Sequence, residues 1–402
     1  MNISVYKDLT SIHTLRDPWD GLVTHPNADL DHYITIVNSR RPVARPYVIT
    51  FTDQAKVRTI IAARHETSRL AATIGYLNLK TPSAQILTII YGGIIGDQSP
   101  EILHLLSDYL DACLRQKLFD VISLPLMDRR SSTYTHFAAR FSLLRRDPIT
   151  RTHIHWRQSV PDGIDKHLSE LSPNHKRKLK QTQRKLEREK KVDIVYYRND
   201  DNLAKVLKDI EAIASHTYHR GLNVGFINNV ENIQRVKLFA QRRSLLTLIM
   251  YIDGQPASLY MATLYKSKMY LEYTGYDPQY SHYEPSKLLF RLLMDIARNS
   301  TYGTVTEIDF GSGDATYKRV LCDVRTEETD IYIYARRPLA FSLWLLRLAT
   351  ALVSHVLCYA LTKLNAQQSM KTTWRRLLTP AARRPITPTP ARMRSADPAP
   401  ES

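Results

Sequence analysis

Apolar and polar positions in this chain fall into alternating runs and helical stripes, and the same order of runs occurs twice. Met269–Tyr276 alternates and predicts a strand. Pro285 then stands at a first helical position. Leu288, Leu289, Leu292, Leu293 and Ile296 mark one apolar face of a helix that runs to Arg298. A short loop through Gly303 leads to a second strand, Val305–Phe310. That strand runs into the turn Gly311-Ser312-Gly313-Asp314, followed by Tyr317-Lys318. Open α/β sheets place their sites just beyond such strand ends.

Upstream the order repeats. Asp53-Gln54-Ala55-Lys56 leads into a run at Val57–Ala63. Gln85–Ile95 follows as a strand interrupted by Gly92-Gly93, then helix Glu101–Gln116 and strand Phe119–Leu124. In the second half Asp253-Gly254-Gln255-Pro256 leads into Ala257–Leu264, and the strand, helix and strand above complete the set. The offset stays near roughly 180–190 residues, which predicts an internal structural duplication. Tyr47–Phe51 and Ile74–Leu79 read as further strands, and residues 28–40 as a helix. Asp17-Pro18-Trp19-Asp20 reads as a helix start with Trp19 buried. Between the halves, Ser172–Lys191 is a basic helix with Ser172 as N-cap and Pro173 in the first turn. Strand Val192–Tyr197, two helices over 201–219 and 229–244, and strands Leu245–Tyr251 and Ile331–Tyr334 fill out the second half.

The predicted organisation is one αβ half over 1–165 and a second over 166–335 that carries the candidate site. A helical segment covers 336–378. A Pro/Arg-rich tail over 379–402 lacks the apolar periodicity of a packed element. Leu339–Leu361 is long and apolar enough to be tested as a span. Arg347 near its middle argues against one. An amphipathic helix that docks on the body or lies on a membrane surface remains.

Composition sharpens this only in part. Of 402 residues, 43% are hydrophobic, enough for a real core, and the net charge of +17 favours an anionic partner or surface. Some of that excess sits in one helix and the tail, where solvated faces account for it equally well. Cys113, Cys322 and Cys358 form no CxxC pair, and the N-terminus has no long apolar h-region. A cytoplasmic chain, peripheral on the inner face of a membrane, is the expectation.

Asp309-Phe310-Gly311 invites a kinase reading, but no VAIK-type strand, HRD loop or Gly-rich nucleotide loop accompanies it. Lys318 after Gly311-Ser312-Gly313 does not make a P-loop, which needs a helix opening at Gly-Lys-Ser/Thr. His216 and His219 share a helical face without an evident third metal ligand, so capping or packing roles are expected there and no metal.

Four pieces in order, the lead-in with Trp19, the basic helix Ser172–Lys191, Glu284-Pro285-Ser286-Lys287-Leu288-Leu289 and Asp309-Phe310-Gly311-Ser312-Gly313 with Tyr317-Lys318, carry a resemblance. Over roughly residues 5–335 the chain resembles the CelD/BcsL-type acetyltransferase-like proteins of the GNAT superfamily, relatives of the Fem-type aminoacyltransferases. The resemblance implies a tandem GNAT-like α/β fold. It also implies acyl transfer from an acyl-CoA donor, without metal, to an amine- or hydroxyl-bearing acceptor, on an envelope polysaccharide or cell-wall precursor. An aminoacyl-tRNA-dependent Fem-like ligase and a non-catalytic scaffold of a membrane polysaccharide synthase stand beside it. The basic helix would serve tRNA phosphates or anionic lipid in those readings, or be merely solvated.

On this reading Lys318 stabilises an oxyanion or holds a donor phosphate; otherwise it pairs with Asp314 or Asp323. Asp309 acts as base or orients the acceptor, or else caps the Gly311–Gly313 turn. Tyr317 donates to the oxyanion or packs, and Glu272 is a second candidate base. Ser286 and Lys287, at a helix N-terminus, would contact donor phosphate. The Gly-rich Q/R-x-x-G-x-G/A loop that grips pyrophosphate in GNAT enzymes is missing, and Ser286 stands where many relatives carry Gly.

Overall fold

A computed structural model describes residues 1–75, 77–170, 172–199, 202–217 and 225–363. The tail past Lys371 expected to lack structure, together with His219 and Arg220, lies outside the described residues. The first half contains β1 (Asn2–Tyr6), α1 (Leu9–His13), α2 (Arg16–Leu22), α3 (Leu30–Ser39), β2 (Ala44–Asp53) and β3 (Lys56–Arg69). It continues through β4 (Ala72–Ile74), β5 (Leu77–Leu79), β6 (Ser83–Gly96), α4 (Pro100–Arg115), β7 (Val121–Asp128) and α5 (Ser132–Arg140). Next come β8 (Thr152–Ser159), α6 (Asp162–Glu170) and the basic helix α7 (Pro173–Glu189). The second half holds β9 (Val192–Tyr197), α8 (Leu203–His216), α9 (Val230–Gln241), β10 (Leu245–Ile252), β11 (Gln255–Tyr265) and β12 (Lys268–Tyr276). It closes with α10 (Pro285–Arg298), β13 (Glu307–Ser312), α11 (Thr316–Leu321), β14 (Val324–Tyr334) and α12 (Pro338–Lys363).

Twelve of these strands form one sheet in the order β1-β2-β3-β6-β7-β14-β8-β13-β12-β11-β10-β9. The predicted duplication is visible in it. In each half a long antiparallel hairpin feeds a strand that pairs in parallel with the strand after the helix. β6 meets β7 over Ile86–Thr88 and Val121–Ser123, and β12 meets β13 over Lys268–Tyr270 and Glu307–Asp309. Each parallel contact lasts three residues and then opens. Where it opens, each hairpin carries a bulge: opposite Ile61–Ala63 it falls in β6 after Ile89, and opposite Met261–Ala262 it falls in β12 after Leu271. A bulge bends its strand and re-aims side chains, so both halves splay at the same relative place.

The halves also exchange strands. β14 lies between β7 and β8, both within 1–165, and β8 lies between β14 and β13, both within 166–335. Side-chain alternation then divides each strand between two layers. Tyr47, Ile49, Phe51, Ile61 and Ala63 pack with α4 and α5, whereas Val48, Ile60 and Ala62 pack with α1–α3, including the fully buried Trp19. In the second half Leu246, Leu248 and Met250 pack with α10, and Leu245, Ile249 and Tyr251 with α8 and α9.

The structure corrects two sequence expectations. Ile74–Leu79 is not one strand but the hairpin β4–β5 outside the main sheet, because Gly75 at φ +59° reverses the chain. The strand expected from Val305 begins at Glu307 and takes in Gly311 and Ser312, with a register shift against β8 between Asp309 and Ser312. Helix α12 packs Ala340, Leu343 and Trp344 into the first-half core and leaves its other side exposed.

Candidate functional site

Four adjacent strands, and β6 one strand beyond them, converge on the line where the halves meet. β6 contributes Tyr91, β14 Glu328, β8 His155, β13 Asp309 and β12 Tyr270. Their even spacing in strands turns Asp309 away from Ile308 and Phe310, and His155 away from Ile154 and Trp156, all four of which pack in the α10 layer. The site therefore opens toward the layer that holds α1–α3 and α8–α9.

His155 links two carboxylates. Its Nε2 lies 2.7 Å from Asp309 Oδ1 and its Nδ1 lies 3.0 Å from Glu328 Oε1. The Tyr91 hydroxyl donates to the same Glu328 oxygen at 3.0 Å. Burial by itself would lower the His155 pKa, but the hydrogen bonds and charges of Asp309 and Glu328 outweigh it and raise it to about 9. The ring is thus an imidazolium at neutral pH, with both nitrogens donating. Asp309 is nearly as buried, which alone would raise its pKa. His155 and the Gly311 N–H, 2.7 Å from Oδ1, overcome that and hold the carboxyl below its ordinary value. Both bonds end on Oδ1; Oδ2 takes none among the described residues.

His25 closes the group from the other side. Its ring meets Tyr91 and Tyr270 edge-on at centroid distances of 4.7 and 5.0 Å. Burial pushes its pKa down to about 4, so it is neutral beside the charged His155. Gly92 makes room for it: at φ +74° a Cβ there would come within 2.9 Å of the His25 Cβ.

Lys318, read from sequence as the leading candidate, is 7% exposed. Its Nζ donates to the carbonyls of Phe310 at 2.6 Å, Gly311 at 3.2 Å and Ser312 at 3.4 Å. Burial lowers its pKa. The ammonium stitches together the turn that presents Asp309, and stabilising an oxyanion would require it to release one of these carbonyls. Tyr317 beside it is 44% exposed. Glu272 has both oxygens engaged: Oε2 accepts from Arg235 Nη1 at 2.6 Å, and Oε1 from Thr263 Oγ1 at 3.2 Å. Arg235 also donates to the Tyr273 hydroxyl at 2.8 Å, so Glu272 ties α9 to the bulged part of β12.

At the start of α10, Glu284 is the N-cap in a left-handed conformation, φ +49°. Lys287 Nζ pairs with Glu284 at 2.8 Å, Lys178 of the basic helix approaches the same carboxylate at 3.8 Å, and the Ser286 hydroxyl lies 3.2 Å from that of Ser258. Beyond Tyr270 the edge of β12 facing β13 is unpaired with any described strand. His216 binds Asp277 rather than joining a metal set, and no cluster of three metal-ligating side chains occurs among the described residues.

Asp309 and Lys318 were visible in the sequence, and the fold puts them on one turn. His155, Glu328, Tyr91, His25 and Tyr270 were not singled out. His155 lies 154 residues from Asp309 in a strand, Thr-His-Ile-His-Trp-Arg-Gln-Ser, that the sequence reading passed over. Its alternation was the available signal.

Residues 173–319 match the family described as Acetyltransferase (GNAT) domain. Among solved structures the chain resembles FemX, at 12% identity and a TM-score of 0.56, covering 86% of this chain and 100% of that one. It also resembles a tandem GNAT protein from the clavulanic acid biosynthesis pathway, at 9% identity and a TM-score of 0.47, with coverages of 84% and 100%. No curated protein matches the chain in sequence. The fold is a tandem GNAT-like α/β fold with an added C-terminal helix.

Proposed function

We propose that this chain is an acyltransferase that moves an acyl group from acyl-CoA to the amine or hydroxyl of an envelope polysaccharide or cell-wall precursor. The observation that carries the reading is the Asp309–His155–Glu328 chain, buried where β12 and β13 part. An ionised carboxylate with one open oxygen, braced by an imidazolium, suits the binding and aiming of an amine or hydroxyl nucleophile. The matched domain supports the choice of reaction.

The donor would lie along the open edge of β12, where backbone groups after Tyr270 meet an extended amide arm. The α10 N-terminus, with Lys287 and Lys178 around Glu284, would face its phosphates. Asp309 Oδ2 would hold the acceptor. As the nucleophile attacks the thioester carbonyl, the new C–N or C–O bond forms and the C–S bond breaks. The acceptor's proton leaves by way of Asp309 and ends on the departing thiolate. Lys318 keeps the 310–312 carbonyls turned inward, and so keeps Asp309 in place.

Thermal unfolding against acetyl-CoA, longer acyl-CoAs, and charged and uncharged tRNA tests this. A ligand specific to the folded state adds about 2.7 kcal/mol at a hundredfold excess over its Kd. One acyl-CoA is expected to raise Tm, and Lys287→Glu to diminish that shift. With the donor known, Asp309→Asn is expected to lower kcat by about 10²-fold or more while donor binding persists. A shift with charged tRNA alone, erased by salt, would replace this reading with an aminoacyl ligase. No shift with any donor would leave a scaffold.

A further inference from the structure

Helix α12 has two faces of opposite character. Ala340, Leu343, Trp344 and Thr350 are buried against the body. On the same stripe Arg347 binds Asp147, with Nε 3.0 Å from Oδ2, and also donates to the Ala71 carbonyl. Two turns on, the Ser354 hydroxyl donates to the Thr73 carbonyl at 3.0 Å. The helix is thus fastened sideways to the body over several turns.

The opposite stripe has no such partners. Phe341, Leu345, Leu352, Val353, Val356 and Tyr359 are each 44–65% exposed. At 100° per residue they gather on the side away from Arg347. Arg347 is the only Asp, Glu, Lys or Arg between Pro338 and Ala360, so the outward stripe carries no charge. Leu143 and Leu144, 55% and 70% exposed, flank the helix in the turn whose Leu143 carbonyl accepts from Trp344 Nε1. Soluble surfaces rarely present so long an apolar strip to water.

The sequence downstream says what covers it. Residues 364–396 contain seven Lys or Arg, from Lys371 to Arg394, and no Asp or Glu. An apolar in-plane face followed by a polybasic run is a two-signal anchor for anionic lipid. A second copy of the chain on the same face would bring two such cationic runs together and repel. A helix crossing the bilayer would strand Arg347 and Ser354 away from the partners that fasten them.

We propose that α12 is an interfacial anchor. Its Phe341–Tyr359 face enters the surface of an anionic bilayer, the body rides on the Arg347 side, and the downstream basic run binds lipid headgroups. This stands independently of the acyl-transfer reading.

Co-sedimentation of the full chain with vesicles tests it. Expected is sedimentation with phosphatidylglycerol/phosphatidylcholine vesicles, at least about tenfold weaker with phosphatidylcholine alone and falling with salt. Leu345→Glu with Val356→Glu is expected to abolish it at an unchanged Tm. Replacing the seven downstream Lys and Arg by Gln, which leaves the described body untouched, is expected to weaken it by at least about tenfold. Full-length protein that stays in the supernatant, or a Leu345→Glu/Val356→Glu protein that sediments like the parent, overturns the proposal. Two other results also overturn it: a dimer dissociated by those substitutions without lipid binding, and membrane association in cells that resists alkaline carbonate, which marks a span.

Discussion

His155 is the residue on which most of the site's electrostatics turn. A folded-state pKa raised to about 9 lies above the ordinary value of about 6.5. The stability it contributes is complete below the lower figure and is lost as pH rises through the higher one. Urea unfolding of the parent should therefore show stability declining between about pH 6.5 and about pH 9, and His155→Gln should flatten that part of the profile. Parallel profiles for the two proteins would mean that the imidazole is not charged between Asp309 and Glu328. The same substitution separates the readings of Asp309. If Asp309 only capped the 311–313 turn, His155→Gln would leave kcat intact. As a brace for the acceptor carboxylate it should change kcat and its pH dependence together, with little effect on donor binding.

At the scale of elements, the splayed strand pair and α12 illustrate different physics. The splay arises locally: a three-residue parallel contact runs into a bulge, and it does so in both halves. The placement of α12 draws on a buried polar knot as well as on apolar packing. Asp147 is almost fully buried and accepts from the Tyr334 hydroxyl at 2.6 Å as well as from Arg347. Removing one member of a buried pair leaves the other charge uncompensated and costs about 3–5 kcal/mol. Asp147→Asn should lower the unfolding free energy by about 3 kcal/mol, read by chemical denaturation. A loss under about 1 kcal/mol would show the knot to be solvated, as exposed pairs are.

For the whole molecule, strand exchange makes the halves interdependent. A fragment ending at residue 165 would lack β14, which lies between two of its strands, and a 166–335 fragment would lack β8. Each would expose open sheet edges. Neither fragment should give a cooperative thermal transition by circular dichroism, whereas the intact chain should. A fragment that melts cooperatively by itself would show that exchange is dispensable. The exchange also creates the site, because β14 and β8 carry Glu328 and His155 to the line between β6 and β13.

Local chemistry wrote much of this into the sequence. The α10 helix was readable to the residue from Pro285 and its apolar stripe, the duplication from order and spacing, and Asp309 with Lys318 from the turn that joins them. Trp19 was rightly placed in the core. Other parts were not legible. β8 alternates only over His153–Arg157, with two apolar residues, Ile154 and Trp156, too short a run to mark a strand without its neighbours. The β4–β5 reversal hung on one glycine's positive φ. Sequence by itself determined the elements, their repetition and the chemistry available on each, because propensity and periodicity act over a few residues. Only the tertiary structure decided that Tyr91, His155, Asp309 and Glu328 meet. Their contacts span up to 237 residues and depend on strand order in the sheet, which no local pattern encodes.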